Sequence, residues 1–302
     1  MNCRVCKKRA AVEVRRHNAA FCPEHFTEHV RRQVARTIHD YDMFGPDDRL
    51  LLGVSGGKDS LALWDILTEL GFVVDGVYLH LGIGEYSSDS LTLTKRFATD
   101  RDLKLQVIDL PVDYGFSIPQ AAASQGRNAC SVCGLSKRYL LNKAANGYDV
   151  LVMGHNLDDE AATLLGNVLK WNTEYLGRQA PVLPAVDGLA RKVKPLIRVA
   201  ERETAAYAVL RGIEYEVDEC PMVAGNTINR LKERMGVLED KSPGVKQQFL
   251  FGFFERGAGH FEVEDKADLG SCWSCGSPTT GDVCAFCRVR DRATRPREER
   301  DL

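Results

Sequence analysis

Residues 50–60 read LLLGVSGGKDS, an apolar run that passes directly into a short polar loop. The run Leu50–Val54 is typical of a buried β-strand, and Ser60–Leu70 offers the apolar face of a helix. Between them, Gly56 and Gly57 permit backbone angles that let the chain approach a phosphate closely. The helix that follows directs free amide groups and the positive end of its dipole at an anion. We therefore predict a phosphate-binding loop, with an ordinary strand-to-helix turn as the alternative.

This loop differs from the G-x-x-x-x-G-K-[ST] loop of many ATPases. Leu52 stands where that loop has its first glycine, and Asp59 follows the lysine where a serine or threonine would bind magnesium. Lys58 is still expected to bring a positive charge to the phosphate. The sequence thus predicts anion binding by a loop of another kind.

Strand-like and helix-like patterns alternate through the middle of the chain. Further strands are predicted at Val73–Leu79, Leu105–Leu110 and Val150–Gly154, and further helices at 91–100, 134–145 and 161–169. Strands separated by helices of this length predict an α/β fold, in which helices cover both faces of a parallel sheet. Ligand sites in such sheets lie at the carboxyl ends of the strands.

A second polar motif, GHNLDDE at residues 154–160, follows the last of these strands. Acidic residues such as Asp158 and Asp159 are common at helix starts, where the helix dipole favours them. Beside a phosphate loop, the same carboxylates can hold magnesium or position a nucleophile. The sequence alone leaves both interpretations open.

Length and composition exclude several classes of protein. The chain has 302 residues, 44% of them hydrophobic, which is enough for a sizeable packed core. Its 40 basic and 42 acidic residues nearly cancel, so any surface that binds nucleic acid must be local. No apolar run approaches the roughly 20 residues of a membrane helix, and the N-terminus has no apolar signal region. A membrane protein, a disordered chain and a secreted disulfide scaffold are therefore not expected.

Ten cysteines fall mostly into closely spaced pairs, which in an apparently cytosolic chain indicates metal ligation rather than disulfides. Two sets have the ligand number and spacing of structural zinc sites: Cys3, Cys6, Cys22 and His25, and then Cys272, Cys275, Cys284 and Cys287. Cys130, Cys133 and Cys220 remain in the core, one thiol short of a closed zinc site. A catalytic zinc, a redox disulfide with a bystander thiol and a 4Fe-4S cluster with one open iron all stay open.

These features divide the chain into three predicted parts. Residues 1–28 form an N-terminal zinc finger, residues 29–268 form the nucleotide-binding domain, and residues 269–302 form a C-terminal zinc ribbon with a charged, solvated tail after Cys287. Basic clusters in the middle part are candidate RNA contacts, although a run of charge is usually only a solvated face. The clusters are Arg31, Arg32 and Arg36; Arg191, Lys192, Lys194 and Arg198; and Lys232 with Arg234.

Several separated motifs occur together in an order that resembles one enzyme family. SGGKDS is followed by CSVCG with Lys137, by GHNLDDEAA and by ECPMVAGNTINRLKERM, with a metal module at each end of the chain. This constellation resembles the tRNA 2-thiouridine synthetases, PP-loop ATP-pyrophosphatases, and most closely the branch that acts on 5-methyluridine 54 of tRNA. The resemblance implies an adenine nucleotide alpha hydrolase-like PP-loop domain flanked by two small zinc-binding modules.

The resemblance also implies roles for individual residues. Cys130, Cys133 and Cys220 would be the three ligands of a 4Fe-4S cluster. Lys137, Asp159 and Asp59 would be catalytic. ATP would be bound by Gly53, Val54, Ser55, Gly56, Gly57, Lys58, Asp59, Ser60, Leu79, His80, Lys137, Gly154, His155 and Asn156. The cofactors implied are ATP, Mg²⁺, the cluster and two Zn²⁺, and the partners are tRNA, a ubiquitin-like sulfur carrier with a thiocarboxylate end and a second copy of the chain, in the cytoplasm.

Elementary chemistry agrees with this expectation. The C2 oxygen of uracil is a poor leaving group, and adenylation turns it into a good one, while Lys58 and magnesium can neutralise the departing pyrophosphate. Lys137 lies four residues after Cys133, so both side chains can lie on one face of a helix and face the same pocket.

Three alternatives remain at this point. They are thiolation of the wobble uridine 34, thiolation of cytidine 32, and a zinc-dependent nucleic-acid-binding protein with a regulatory nucleotide site.

Overall fold

A computed structural model describes residues 1–126, 128–186, 188–223, 227–261 and 269–295. The strands in these ranges are β1 (Val12–Val14), β2 (Ala19–Phe21), β3 (Leu50–Val54), β4 (Val74–His80), β5 (Leu105–Asp109), β6 (Val150–Met153), β7 (Val182–Leu183), β8 (Arg191–Val193), β9 (Gly270–Ser271) and β10 (Pro278–Thr279). The helices are α1 (Pro23–Asp40), α2 (Lys58–Glu69), α3 (Gly84–Asp100), α4 (Leu110–Tyr114), α5 (Ile118–Gln125), α6 (Ala129–Ala144), α7 (Leu157–Lys170), α8 (Thr173–Gly177), α9 (Glu201–Leu210), α10 (Thr227–Lys241), α11 (Val245–Gly252) and α12 (Ala285–Thr294).

The central sheet has the strand order β5-β4-β3-β6-β8-β7. β3 pairs in parallel with β4 on one side and with β6 on the other, and only β7 runs antiparallel to its neighbour. The predicted parallel α/β sheet is thus confirmed. β7 and β8 were not predicted, because runs of two or three residues are too short to show an alternating pattern.

The side chains of β3 alternate between two cores. Leu50, Leu52 and Val54 pack with α1, α2 and α9 on one face of the sheet. Leu51 packs with α5, α6 and α12 on the other face. A strand buried on both sides reads as a continuous apolar run, which explains the sequence LLLGV.

The two ends of the chain form small hairpins. β1 and β2 pair antiparallel, as do β9 and β10. The predicted boundary at residue 28 falls within α1, whose Val30 and Val34 are buried in the central core. The second predicted boundary, at residue 268, and the end of the tail, residues 296–302, lie outside the described residues. None of the helices in the described ranges has the length and apolarity needed to cross a bilayer.

The prediction of a solvated tail after Cys287 is wrong for the residues that directly follow it. They continue α12 to Thr294, and Val289 and Ala293 are buried against the core of the domain. The alternation of arginines with acids concealed the two small apolar positions that face inward.

Helix α2 packs against β4 at a glycine. A Cβ atom at Gly76 would lie 2.3 Å from the indole of Trp64, which is fully buried and donates a hydrogen bond of 3.0 Å to the carbonyl of Val74. This close approach fixes α2, and with it the loop at its start.

Gly76→Ala is therefore expected to lower the free energy of unfolding by about 1–3 kcal/mol, the usual cost of overpacking a core. Urea unfolding measures the change. Gly236→Ala is the matched control, because nothing lies within 4 Å of the added methyl group and alanine favours the helix α10. Equal stability of the two variants would contradict the packing role of Gly76.

Candidate active site

The loop between β3 and α2 is held in a tight bend. Gly56 has a φ of +78°, and a Cβ there would lie 2.8 Å from the carbonyl oxygen of Ser90. The amide of Ser55 donates to Oγ of Ser60 at 3.1 Å, and the amide of Glu216 donates to the Gly56 carbonyl at 2.9 Å. Among the described residues no side chain caps the start of α2 at Gly57, so the first amides of the helix stay available to an anion.

A cavity of about 300 Å³ opens at the carboxyl ends of β3, β4 and β6, beside this loop. Eleven of the predicted site residues line it: Gly53, Val54, Ser55, Gly57, Asp59, Ser60, Leu79, Lys137, Gly154, His155 and Asp159. Its wall also contains Tyr78, Leu81, Tyr86, Ser87, Leu141 and Met153, which the motifs did not indicate. The structure thus brings the loop, the second polar motif and the helix of the core cysteines to one place.

Four predicted ATP-binding residues do not line the cavity. Gly56 shapes the bend of the loop. The side chain of Lys58 lies outside the cavity, where its Nζ donates to Glu201. His80 places Nδ1 3.2 Å from Oδ2 of Asp109, without hydrogen-bond geometry. Asn156 is fully buried, and its Oδ1 accepts from the amides of Asp158 and Asp159 at the start of α7.

Two observations fit a nucleotide. The bend at Gly56 has no room for a side chain, so backbone rather than a side chain faces the anion site there. Nδ2 of Asn156 is buried without a hydrogen-bond partner in the described residues. A buried amide in that state costs free energy unless a ligand or an ordered water satisfies it.

A network of charges lies behind the loop. Glu201, the first residue of α9, accepts a hydrogen bond of 2.8 Å from Nζ of Lys58 and pairs at 2.8 Å with Nζ of Lys232. Lys232 also donates to Oδ1 of Asp159 at 2.9 Å. Although burial opposes ionisation, the hydrogen bonds from the two lysines lower the pKa of Glu201 to about 2. Burial raises the pKa of Asp59 against the pull of Lys58.

The expectation that Lys232 contacts RNA from an exposed basic cluster is wrong. Its side chain is only 19% exposed and is neutralised by two carboxylates of the site. The sequence indicates Lys232 only as a member of a basic cluster and gives no signal for Glu201, because both are distant in the chain from the motifs that they contact. The structure alone brings them to the phosphate loop.

The other basic clusters are also largely paired within the protein. Lys194 pairs with the buried Glu160 at 2.7 Å, and Arg198 pairs with Asp40 at 3.0 Å. Arg31, Arg32 and Arg36 pair with Glu69, Glu28 and Asp40. Lys194 and Arg198 are therefore held within the fold, whereas the side chains of Arg32 and Arg36 stay 62% and 64% exposed.

The three core thiols lie near the cavity. Cys130 and Cys133 occupy the start of α6, and Sγ of Cys130 lies 3.5 Å from the carbonyl of Met222, next to the segment of Cys220. Burial raises the pKa of Cys133, and the nearby Lys137 opposes the shift. Within the described part of the chain, the sulfur atoms of these three cysteines do not all lie within 4.8 Å of one another. Such spacing is wider than that of thiols that share one zinc ion, whose ligands are about 2.3 Å from the metal.

Each terminal module collects four metal-ligating groups. The ligand atoms of Cys3, Cys6, Cys22 and His25 all lie within 4.8 Å of one another, and so do those of Cys272, Cys275, Cys284 and Cys287. All ten cysteines are free thiols. The strands next to these ligands are only two or three residues long, which is the situation in which a bound zinc ion supplies folding free energy.

Comparison with known proteins gives a consistent result. A family model for "2-thiouridine synthetase TtuA, N-terminal LIM domain" matches residues 2–27, and a model for "PP-loop domain" matches residues 26–236. The tRNA-5-methyluridine(54) 2-sulfurtransferase of Thermus thermophilus is 47% identical over 100% of this chain and 95% of its own length. The protein of the same name from Pyrococcus horikoshii is 40% identical over 95% of this chain and 93% of its own.

A solved structure is similar over nearly the whole chain. It is the U34-tRNA thiolase NcsA from Methanococcus maripaludis with its [4Fe-4S] cluster, which is 25% identical and covers 96% of each chain with a TM-score of 0.80. The chain is therefore similar to related proteins over the N-terminal module, the PP-loop domain and nearly its whole length.

Glu201→Gln removes the negative charge between the two lysines. Because the pKa of Glu201 is about 2 in the fold, below its usual 4.5, the carboxylate stabilises the folded chain above pH 4.5. We expect the difference in unfolding free energy between wild type and variant to be largest there and to shrink as the pH falls toward 2. Urea unfolding across this range measures it.

Glu174→Gln, at an exposed position of α8, serves as the control and should show no such dependence. A difference between wild type and Glu201→Gln that stays constant with pH would contradict the electrostatic role of Glu201.

Proposed function

The chain belongs to the tRNA-5-methyluridine(54) 2-sulfurtransferase family of PP-loop enzymes, and from this premise we propose that it thiolates C2 of uridine 54 in the T-loop of tRNA after ATP-dependent adenylation. One observation carries the proposal. The cavity beside the phosphate loop is also lined by Lys137, which lies one helical turn after Cys133. The helix that carries Cys130 and Cys133 therefore reaches the proposed nucleotide pocket through Lys137.

In the first step the C2 oxygen of the uracil attacks the α-phosphate of ATP. A C2–O–P bond forms, the bond to the β-phosphate oxygen breaks, and pyrophosphate leaves. The loop Ser55–Gly57 and the first amides of α2 would hold the pyrophosphate, with Lys58 beside it. Lys137 faces this cavity from α6, where its ammonium group would stabilise charge on the α-phosphate.

In the second step sulfur replaces the activated oxygen. A C–S bond forms at C2, the C–O bond breaks, and AMP leaves with the electron pair of that bond. Cys130, Cys133 and Cys220 would hold a 4Fe-4S cluster, which supplies an iron with an open coordination position for sulfide. The relative NcsA, which shares this fold, is described with such a cluster.

Asp159 has two candidate roles in this scheme. Its carboxylate lines the cavity and is held by Lys232, so it is fixed close to the reacting groups. It would orient magnesium, which would neutralise charge on the departing pyrophosphate, or it would orient the uracil. Asp59, which is half-buried, lines the cavity and accepts a hydrogen bond from Thr204, so its carboxylate would be held in place for a catalytic role beside the loop.

The remaining parts complete the proposal. Residues 1–28 and 269–302 would each bind one Zn²⁺ on either side of the domain at 29–268. The sulfur would come from a ubiquitin-like carrier protein with a thiocarboxylate end, and the enzyme would act as a homodimer in the cytoplasm. A purely regulatory nucleotide site is less well supported, because Lys137 and Asp159 line the cavity beside the phosphate loop.

The wobble uridine 34 is the second candidate substrate, since the solved relative is named a U34-tRNA thiolase. The higher identity, 47%, is to a protein named for position 54. Nucleoside analysis of tRNA from a deletion strain separates the two. We expect loss of the thiolated nucleoside of position 54 and its return with the wild-type gene. Loss of the wobble nucleoside would move the assignment to position 34, and no loss at either position would contradict tRNA thiolation.

Lys137→Ala is expected to lower the rate of thiolation by about 10²–10³, the usual effect of removing one group that stabilises developing charge. Arg138→Ala, at the next exposed position of α6, is the matched control and should keep near-normal activity. Single-turnover assays with purified tRNA, ATP and a sulfide source measure both, after the iron content of each variant has been shown to equal that of the wild type. Equal rates for the two variants would remove Lys137 from the mechanism.

A further inference from the structure

One aromatic ring connects the C-terminal module, residues 269–295, to helix α6. Phe286 lies in the sequence between the metal-ligating Cys284 and Cys287 and is only 2% exposed. Its ring stacks on Tyr139 with a centroid separation of 3.9 Å and an interplanar angle of 6°. It also meets Tyr114 edge-on at 5.2 Å. The aromatic residue that contacts the domain therefore lies, in the sequence of the module, between two candidate metal ligands.

The ring of Phe286 contacts α6 close to Lys137 and Cys133, which belong to the proposed site. Tyr139 is two residues after Lys137 and six after Cys133. At 1.5 Å per residue, Cys133 is about 9 Å along the helix axis from the stacked pair. A helix of this length transmits a displacement as a rigid body, so the position of Tyr139 affects where Lys137 and the thiols lie.

The module and α6 share one core. Phe286, Cys287, Val289 and Ala293 are buried in the same apolar cluster as Val132, Leu140 and Leu141 of α6, and Cys133 and Cys220 pack against that cluster. On the other side of α12, Nε2 of Gln120 donates to the carbonyl of Ala293 at 3.1 Å. The C-terminal module is thus wedged between α5 and α6 rather than attached at the surface.

We propose that the C-terminal module is a brace for helix α6, with Phe286 as the positioning residue that sets the place of Cys130, Cys133 and Lys137. The part of this inference that concerns the cluster rests on the function proposed above. The module has two strands of two residues and one helix, so a metal ion held by its four ligand groups would fix the backbone that carries Phe286 into the shared core. Loss of the metal at this end would therefore loosen the helix of the core thiols.

Hydrogen–deuterium exchange of the cluster-free full chain tests the brace directly. Phe286→Ala is expected to speed exchange of the amides in residues 129–144 by at least about tenfold, because it removes a large buried side chain. Peptides from β1–β2 and from β3 should exchange as in the wild type. Tyr139→Ala, which lies outside the C-terminal module, should speed exchange of the same helix.

Two further variants serve as controls. Tyr139→Phe keeps the stacked ring and should restore the slow exchange of α6. Trp273→Ala removes an exposed aromatic residue of the same module, 81% exposed, and should leave α6 unchanged. Zinc analysis of every variant shows whether the module still holds its metal. If Phe286→Ala loses the metal, the comparison of Tyr139→Ala with Tyr139→Phe decides, since both remove the hydroxyl group that contacts Cys275 and Ser277 and only the first removes the ring.

Anaerobic reconstitution gives the second measurement. With iron and sulfide, Phe286→Ala and Tyr139→Ala are expected to lose the visible absorbance of the cluster about two- to tenfold faster than the wild type under an iron chelator, and Tyr139→Phe to match the wild type. Wild-type protein that takes up no cluster would contradict the proposed function but would leave the exchange result standing.

Unchanged exchange of α6 in both alanine variants would overturn the brace, and so would faster exchange spread evenly over the whole chain. Altered exchange without any change in cluster loss would show that the thiols do not depend on the brace and would overturn the positioning role of Phe286.

Discussion

Strand β3 must satisfy its backbone hydrogen bonds on both sides, and the way in which it does so determines the site. The chain adds β4 and β5 to one side of β3, then crosses back and places β6 on the other side. At such a reversal of direction, the crossover helices leave the carboxyl ends of the two central strands uncovered. The phosphate loop follows β3, and the motif at residues 154–160 follows β6. Their meeting is therefore a consequence of topology and needs no special contact between them.

The same constraint explains the charges behind the loop. Carboxylates and lysines brought this close to a buried sheet lose much of their hydration, so each needs a partner of opposite sign. Glu201 supplies one for Lys58 and one for Lys232, and Asp159 supplies a second for Lys232. The network joins the starts of α2, α7 and α9 to the middle of α10. The loop is thus held in shape from outside the cavity, while the cavity side keeps its amides for a ligand.

Local patterns predicted the parts of the fold that local interactions form. The run Leu50–Val54 and the glycines after it appear in the structure where the sequence placed them, since strand burial and backbone freedom are properties of adjacent residues. Lys232 and Phe286 carried no such signal. The first looked like a member of a surface cluster, and the second like a spacer between cysteines. Their surroundings arise only when distant segments pack, so no period or spacing in the sequence could show them.

The N-terminal module contacts the opposite half of the site from the C-terminal one. Arg16, which follows β1, donates from Nε to Oε1 of Glu203 at 3.0 Å and from a terminal nitrogen to the carbonyl of Arg198 at 2.7 Å. This ion pair is almost fully buried, with 4% and 8% of the two side chains exposed, so that loss of either partner would leave an uncompensated charge in the core. Glu203 is two residues from Glu201 on α9. One terminal hairpin therefore packs against the helix that holds the lysines of the phosphate loop, and the other packs against the helix of the core thiols. Because each terminal module is too small to fold on apolar burial alone, a metal ion held by its four ligand groups would bear on the geometry at the centre.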